Sequence, residues 1–149
     1  MKITFTLNGI PQDIEVEAFL STSQLLARRF GQQGVKTSCG IGRCGGCMVL
    51  LDGVQANACL LPAAKLQGRD VVTAQGLGAR ADGVVAALER HGAVQCGYCA
   101  PGLLVSLVGA LESGDSLSGA EVEDMLTGNL CRCTGYAGIR AAIRELVGV

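Results

Sequence analysis

The 149-residue sequence has little charge and few aromatic rings, and each shortage closes off a class of function. Charged residues make up 17% and aromatics 3%, against about a quarter charged in ordinary globular chains. Twelve Lys and Arg stand against thirteen Asp and Glu, and no basic run occurs. A nucleic acid or an anionic membrane therefore meets no attracting field, and unpaired bases have few rings to stack on. The longest greasy stretch, Leu103 to Leu111, is broken by Ser106 and Gly109. It falls far short of the roughly 20 apolar residues of a bilayer span, so no membrane insertion is expected. The start, MKITFTLNGI, alternates like a strand and shows no signal peptide. The expected location is the cytoplasm, with the periplasm open only to a chain exported already folded with a partner.

Catalytic side chains are scarce as well. The single histidine, His91, excludes a Rieske centre, which needs two, and no C-x-x-C-H is present to attach a haem. His91 reads as a helix-end residue, and Tyr98 and Tyr136 read as packing residues whose hydroxyls are free to hydrogen-bond, with a cluster-facing role as the alternative. No nucleophile–base pair is visible, and GLGAR at Gly76–Arg80 is only a linker match to a dinucleotide fingerprint. A surface this poor in charge suggests that part of it is covered by another protein.

What the chain does have is cysteine. Eight fall in two sets of four: Cys39, Cys44, Cys47 and Cys59, then Cys96, Cys99, Cys131 and Cys133. A disulfide framework suits small secreted scaffolds with poor cores, whereas this chain is 49% apolar and lacks a secretion signal. Thiolate–metal ligation is the better reading. The first set, in SCGIGRCGGCMVLLDGVQANAC, has the C-x4-C-x2-C spacing plus a distant fourth cysteine of plant-type [2Fe–2S] sites. Its glycines let backbone N–H groups approach the sulfurs. The alternative is zinc, whose knuckles more often repeat C-x2-C. The second set, QCGYCAPG and NLCRCTGY, is ambiguous between zinc and iron by spacing alone. Its placement just before two predicted helices would turn unpaired N–H groups toward a negative cluster. Arg132, between two ligands, either offsets that charge or is simply solvated.

The pattern along the chain is α+β. Lys2 to Leu7 alternates, Asn8-Gly9 is a hairpin turn, and Ile10 to Val16 returns. Ser21 or Ser23 caps a helix to Phe30 with Leu25 and Leu26 on its apolar face. Met48–Leu51, Asn57–Leu60 and Arg69–Thr73 complete a small mixed sheet. Helices follow at Asp82–His91, from Pro101 to Leu111, after a Ser118/Glu121 capping box with Val122, Met125 and Leu126, and over Gly138–Leu146. Domains are expected at residues 1–76 and 77–149, with the linker loosening at Gly76 and Gly78.

CGIGRCGGC, QCGYCAPG and GNLCRCTGY together resemble the small iron–sulfur subunit of the molybdenum hydroxylases, which include xanthine dehydrogenase, aldehyde oxidoreductase and isoquinoline oxidoreductase. The resemblance covers essentially the whole chain. It implies a plant-ferredoxin-like β-grasp domain followed by a four-helix [2Fe–2S]-binding domain, and two [2Fe–2S] clusters on the eight cysteines. It implies a large partner subunit holding a molybdopterin-type molybdenum cofactor, and a further flavin (FAD) subunit or haem cytochrome as acceptor. Gln95 matches a glutamine that reaches the pterin, and Cys133 matches the ligand nearest it. Ser38, Ile41, Gly46, Met48 and Ala100 depart from the commonest family residues, and none of these departures removes a ligand. The rivals are a free two-cluster ferredoxin, which would show a charged docking patch, and a structural zinc protein acting as an interaction module.

Overall fold

The computed structural model describes residues 1–114 and 118–149, without the side chains of Gly119, Val122 and Glu123. The alternation at the start becomes β1 (Lys2–Leu7), with Ile3, Phe5 and Leu7 buried on one side. Asn8 and Gly9 both take positive φ, 51° and 79°, which matches the twist of a two-residue hairpin, and β2 (Ile10–Glu15) returns antiparallel. Asp52 and Gly53 (φ 50° and 82°) do the same between β3 (Met48–Leu51) and β4 (Val54–Asn57). β5 (Asp70–Val72) pairs parallel with β1 and antiparallel with β3, giving the mixed order β2-β1-β5-β3-β4.

One expected strand is displaced. Asn57–Leu60 is not a strand beyond its first residue; Ala58, Cys59 and Leu60 form a turn. The tight Asp52-Gly53 turn starts the return strand at Val54, in register with Leu51, so the pairing is spent by Asn57 and Cys59 is left in a loop.

Helix α1 (Thr22–Arg29) packs on the sheet. The Ser21 side chain accepts the Gln24 N–H at 3.3 Å, Leu25 and Leu26 are fully buried, and Phe30 meets Phe5 edge to face with centroids 5.8 Å apart. The second half is helical: α2 (Asp82–Arg90), α3 (Ala100–Glu112), α4 (Gly119–Thr127) and α5 (Ala137–Val147). Pro101 sits in the first turn of α3, and the Ser118/Glu121 capping box forms. Met125 and Leu126 of α4 reach the core, while the Val122 side chain lies outside the described residues. Ile139 and Ile143 of α5 are buried and Leu146 is half-buried. Short 3-10 turns at Ala74–Gly76 and Gly78–Ala81 connect the halves. No helix among the described residues is long and apolar enough to cross a membrane.

The two halves share one strand. β3 is buried on both faces, as its unalternating MVLL requires. Val49 faces the sheet-domain core, and Met48 and Leu50 belong to the helical core. Helix α3, apolar nearly all round, packs on β3 from the helical core, with Leu103, Val105, Leu107 and Val108 buried there. Two glycines let it approach β3 and the first cysteine loop closely. A Cβ on Gly109 would meet Leu50 Cδ2 at 2.7 Å, and one on Gly102 would meet the Gly45 carbonyl oxygen at 2.1 Å.

Candidate metal centres

Both cysteine sets lie in loops fixed by this architecture. Cys39, Cys44 and Cys47 belong to the loop that enters β3, and Cys59 follows β4. Cys99 occupies the position just before α3, and Cys131 and Cys133 lie between α4 and α5. None of the eight is joined in a disulfide. Within each set the thiols influence one another: the Cys96 and Cys133 sulfurs lie 3.4 Å apart, and the strongest thiol–thiol influences join Cys39 to Cys44, Cys47 to Cys59 and Cys99 to Cys131, with weaker ones from Cys44 to Cys47 and from Cys131 to Cys96. Among the described residues no three Cys, His, Asp or Glu are grouped to hold a single metal ion. Four thiols gathered without a single-ion grouping suit a rhomb of two irons, each taking two thiolates, better than one tetrahedral zinc shell.

The first loop is wound around its sulfurs by backbone donors. The Ile41 and Arg43 N–H groups point at Cys39 and, with the Cys44 thiol, draw its pKa down to about 6; the Arg43 nitrogen lies 3.4 Å from the sulfur. The Cys59 N–H reaches Cys47 at 3.4 Å. Burial outweighs that contact and pushes the Cys47 thiol up to about 12, so holding it as a thiolate needs a metal or another cation. Gly45 takes φ +70°, and a Cβ there would sit 2.2 Å from the Gly128 carbonyl oxygen; only glycine fits where this loop meets the second one.

In the second set burial raises Cys99 to about 11. At Cys131 burial also works upward, but the Thr134 hydroxyl, the Thr134 and Cys133 N–H groups and the Cys99 thiol outweigh it, and the thiol settles at about 7. Cys96 is lowered, chiefly by the Tyr98 N–H, and Cys133 is raised, chiefly by its contact with Cys96. The expected donors were helix N-termini. The N–H groups of Tyr98, Cys133 and Thr134 that lower Cys96 and Cys131 lie one step earlier, in the loops leading to α3 and α5.

Several residues do more than their sequence context indicated. Thr134 donates its hydroxyl to Cys131 Sγ at 3.1 Å while accepting the Tyr136 N–H at 3.2 Å. Tyr136 packs as expected, but it also holds an unusual φ of 68° and accepts the Cys131 N–H at 2.7 Å. Tyr98 is not a packing residue. It is 53% exposed, accepts the Ser38 hydroxyl at 3.2 Å, and lies under Lys36 Nζ, 5.4 Å from the ring centroid. His91 ends α2 and contacts Glu145 at 2.6 Å. Gln95 and Arg132 are exposed beside Cys96 and Cys133.

Comparison with known proteins places each half. A 2Fe-2S iron-sulfur cluster binding domain matches residues 5–74, and a [2Fe-2S] binding domain matches residues 73–144. The chain is 41% identical to a probable xanthine dehydrogenase subunit from Bacillus subtilis, over 93% of this chain and 82% of that one. It is 36% identical to the nicotine 6-hydroxylase small subunit of Paenarthrobacter nicotinovorans, over 99% and 90%. The crystal structure of quinoline 2-oxidoreductase from Pseudomonas putida 86 matches with a TM-score of 0.89 at 36% identity, over 99% of this chain and 93% of that one. With one iron–sulfur model on each half and relatives matching along nearly the whole length, the chain belongs to the small [2Fe–2S]-binding subunits of the molybdenum hydroxylases.

Proposed function

We propose that Cys39, Cys44, Cys47 and Cys59 hold one [2Fe–2S] cluster, that Cys96, Cys99, Cys131 and Cys133 hold the second, and that the chain relays electrons out of a large molybdenum-cofactor subunit. The observation that carries the reading is that each half, matched by its own [2Fe-2S] domain, gathers one complete set of four cysteines whose thiols lie close enough to influence one another. When bound, such clusters supply one-electron carriers whose four thiolates each leave no site for substrate. The protein's own part is to hold the thiolates, direct N–H groups at them, and fix the spacing of the two loops. Gln95 and Cys133, both exposed, face the molybdopterin-type cofactor of the partner, so the helical-domain set is the entry and the ferredoxin-like set the exit. The acceptor beyond the exit is an FAD subunit or a cytochrome. The domain boundary falls between residues 76 and 77, within the run of 3-10 turns, and the complex works in the cytoplasm or, if exported folded, in the periplasm.

A permanent partner is supported by apolar surface around the second set. An open groove of about 600 Å³ runs beside Gly97, Ala100 and Pro101 and is lined by Val85, Val94 and Leu104. Val94 and Leu130 are 45% and 53% exposed. Burying the half that each still exposes is worth about 1 kcal/mol per side chain, since full burial from water is worth about 1.5–3 kcal/mol.

Two outcomes test the cluster assignment. Anaerobically prepared protein should carry about four irons and four acid-labile sulfides per chain; stoichiometric zinc, or half that iron, would contradict it. Thr134→Val should lower the potential of the helical-domain cluster by on the order of tens of millivolts, because a hydrogen bond to sulfur stabilises the reduced, more negative state. An EPR-monitored redox titration reads it, and an unmoved potential would show that the hydroxyl does not act on the bound thiolate.

A further inference from the structure

One lysine is seated between the two cysteine loops. Lys36 precedes Cys39 in the first loop, and its N–H donates to the Gly46 carbonyl at 2.8 Å, which ties it to the neighbour of Cys47. Its ammonium reaches across to the other half and lies 5.4 Å from the centroid of the Tyr98 ring, within cation–π range. Tyr98 stands between Cys96 and Cys99, and its own N–H points at Cys96. The ring is steadied from the first half, because its hydroxyl accepts the Ser38 hydroxyl at 3.2 Å. Among the described residues no carboxylate lies within ion-pair reach of Lys36; Glu89 lines the same groove but forms no ion pair with it. Lys36 is half-buried, whereas Arg43 and Arg132, cations adjacent to cysteines in the chain, are exposed.

We propose that the Lys36 ammonium, seated on the Tyr98 ring, is a fixed countercharge that raises the reduction potential of the helical-domain cluster, and that Tyr98 is its positioning residue. The inference rests on the two-cluster reading above. A [2Fe–2S] cluster on four thiolates is an anion, and reduction adds one electron and one more negative charge; no bond is made or broken and no proton moves. A nearby cation without a carboxylate partner favours that reduced state. An exposed arginine does so weakly, because water and salt screen it. The ring instead takes part of the water shell from the ammonium and keeps it from swinging away. The effect is greatest at the helical-domain set, since the ring that holds the charge lies between two of its ligands. A raised potential there favours entry of the electron from the partner's cofactor, the first step of the relay.

The test uses the native complex with both clusters loaded, and an EPR-monitored redox titration reads each potential. Lys36→Met deletes the charge and keeps the length of the side chain. It should lower the helical-domain potential by a severalfold to tenfold change in the one-electron equilibrium, up to about 59 mV, and the ferredoxin-like potential by less. Lys36→Arg keeps a cation able to stack on the ring and should restore most of the loss. Tyr98→Phe keeps the ring and should leave the potential where it was. Tyr98→Leu frees the ammonium into solvent and should reproduce most of the fall; where that variant fails to load its cluster, the two lysine variants decide alone. An unmoved potential in Lys36→Met, an equal fall in Lys36→Arg, a larger shift at the ferredoxin-like cluster, or a loaded Tyr98→Leu complex with the unaltered potential would overturn the proposal. Absence of two distinct cluster signals in the unaltered complex would instead overturn the two-cluster reading beneath it.

Discussion

Gly102→Ala is expected to lower the stability of the loaded protein by about 3 kcal/mol or more, the upper range of overpacking. The new Cβ would lie 2.1 Å from the Gly45 carbonyl oxygen, 3.0 Å from its carbonyl carbon and 3.1 Å from Gly46 Cα. All three neighbours are backbone, so no rotamer change relieves the contact. Either α3 withdraws from the loop that carries Cys44 and Cys47, or that loop gives way. Helix propensity does not explain a loss, because alanine is the better helix former, by about 1 kcal/mol in an interior and by less in the first turn where Gly102 sits; a loss therefore reports the steric effect. For a chain of this size the midpoint of thermal unfolding should fall by roughly 6–12 °C, with broadened EPR lines from the first cluster. An unchanged or raised midpoint would mean that the seam between the halves is looser than described.

Single cysteine-to-serine changes are expected to remove the clusters one at a time. Cys47 is 1% exposed, and burial lifts its thiol to about 12. A serine there would need an even less accessible alkoxide to hold iron, so Cys47→Ser should lose the first cluster and about two irons per chain. Cys99→Ser should lose the helical-domain cluster by the same reasoning, since burial raises that thiol to about 11. Each variant should keep the other cluster's EPR signal, because each set is braced by a different hydrophobic core. Retention of all iron in either variant would remove that cysteine from the ligand set.

Much of this architecture was legible because it is local. Asn8-Gly9 and Asp52-Gly53 specify hairpins by their own backbone preferences, and Ser21 and the Ser118/Glu121 pair mark helix starts by hydrogen bonds within one turn. The spacing of the cysteines was equally plain, and the family models match both halves. What escaped was non-local. Asn57–Leu60 has strand-like apolar letters, but its structure is decided by the turn before it. Tyr98 reads as a packing residue able to hydrogen-bond, and its hydrogen bond does form, but its partners Ser38 and Lys36 come from the other half and leave its ring half exposed. Gly45 and Gly102 give no hint in sequence that each is shaped by a backbone far along the chain. Thr134 had a visible position, three residues after Cys131, yet only the turn at Tyr136 aims its hydroxyl at the sulfur.

The complex itself provides the most direct test. This chain is an electron-transfer subunit with no catalysis of its own, and its proposed seat is a molybdenum-bearing partner, met through a largely apolar face. Such an interface should resist salt, because screening weakens surface charge pairs and leaves apolar contacts intact. Native protein passed through gel filtration in about 0.5 M salt, where the screening length is only a few ångströms, and analysed for metals fraction by fraction, decides the matter. The expected result is that the iron of this chain and the molybdenum of a large partner leave the column together, and that only this fraction oxidises an aldehyde or N-heterocycle with an artificial acceptor. Elution as a soluble two-cluster monomer with no molybdenum partner would contradict it.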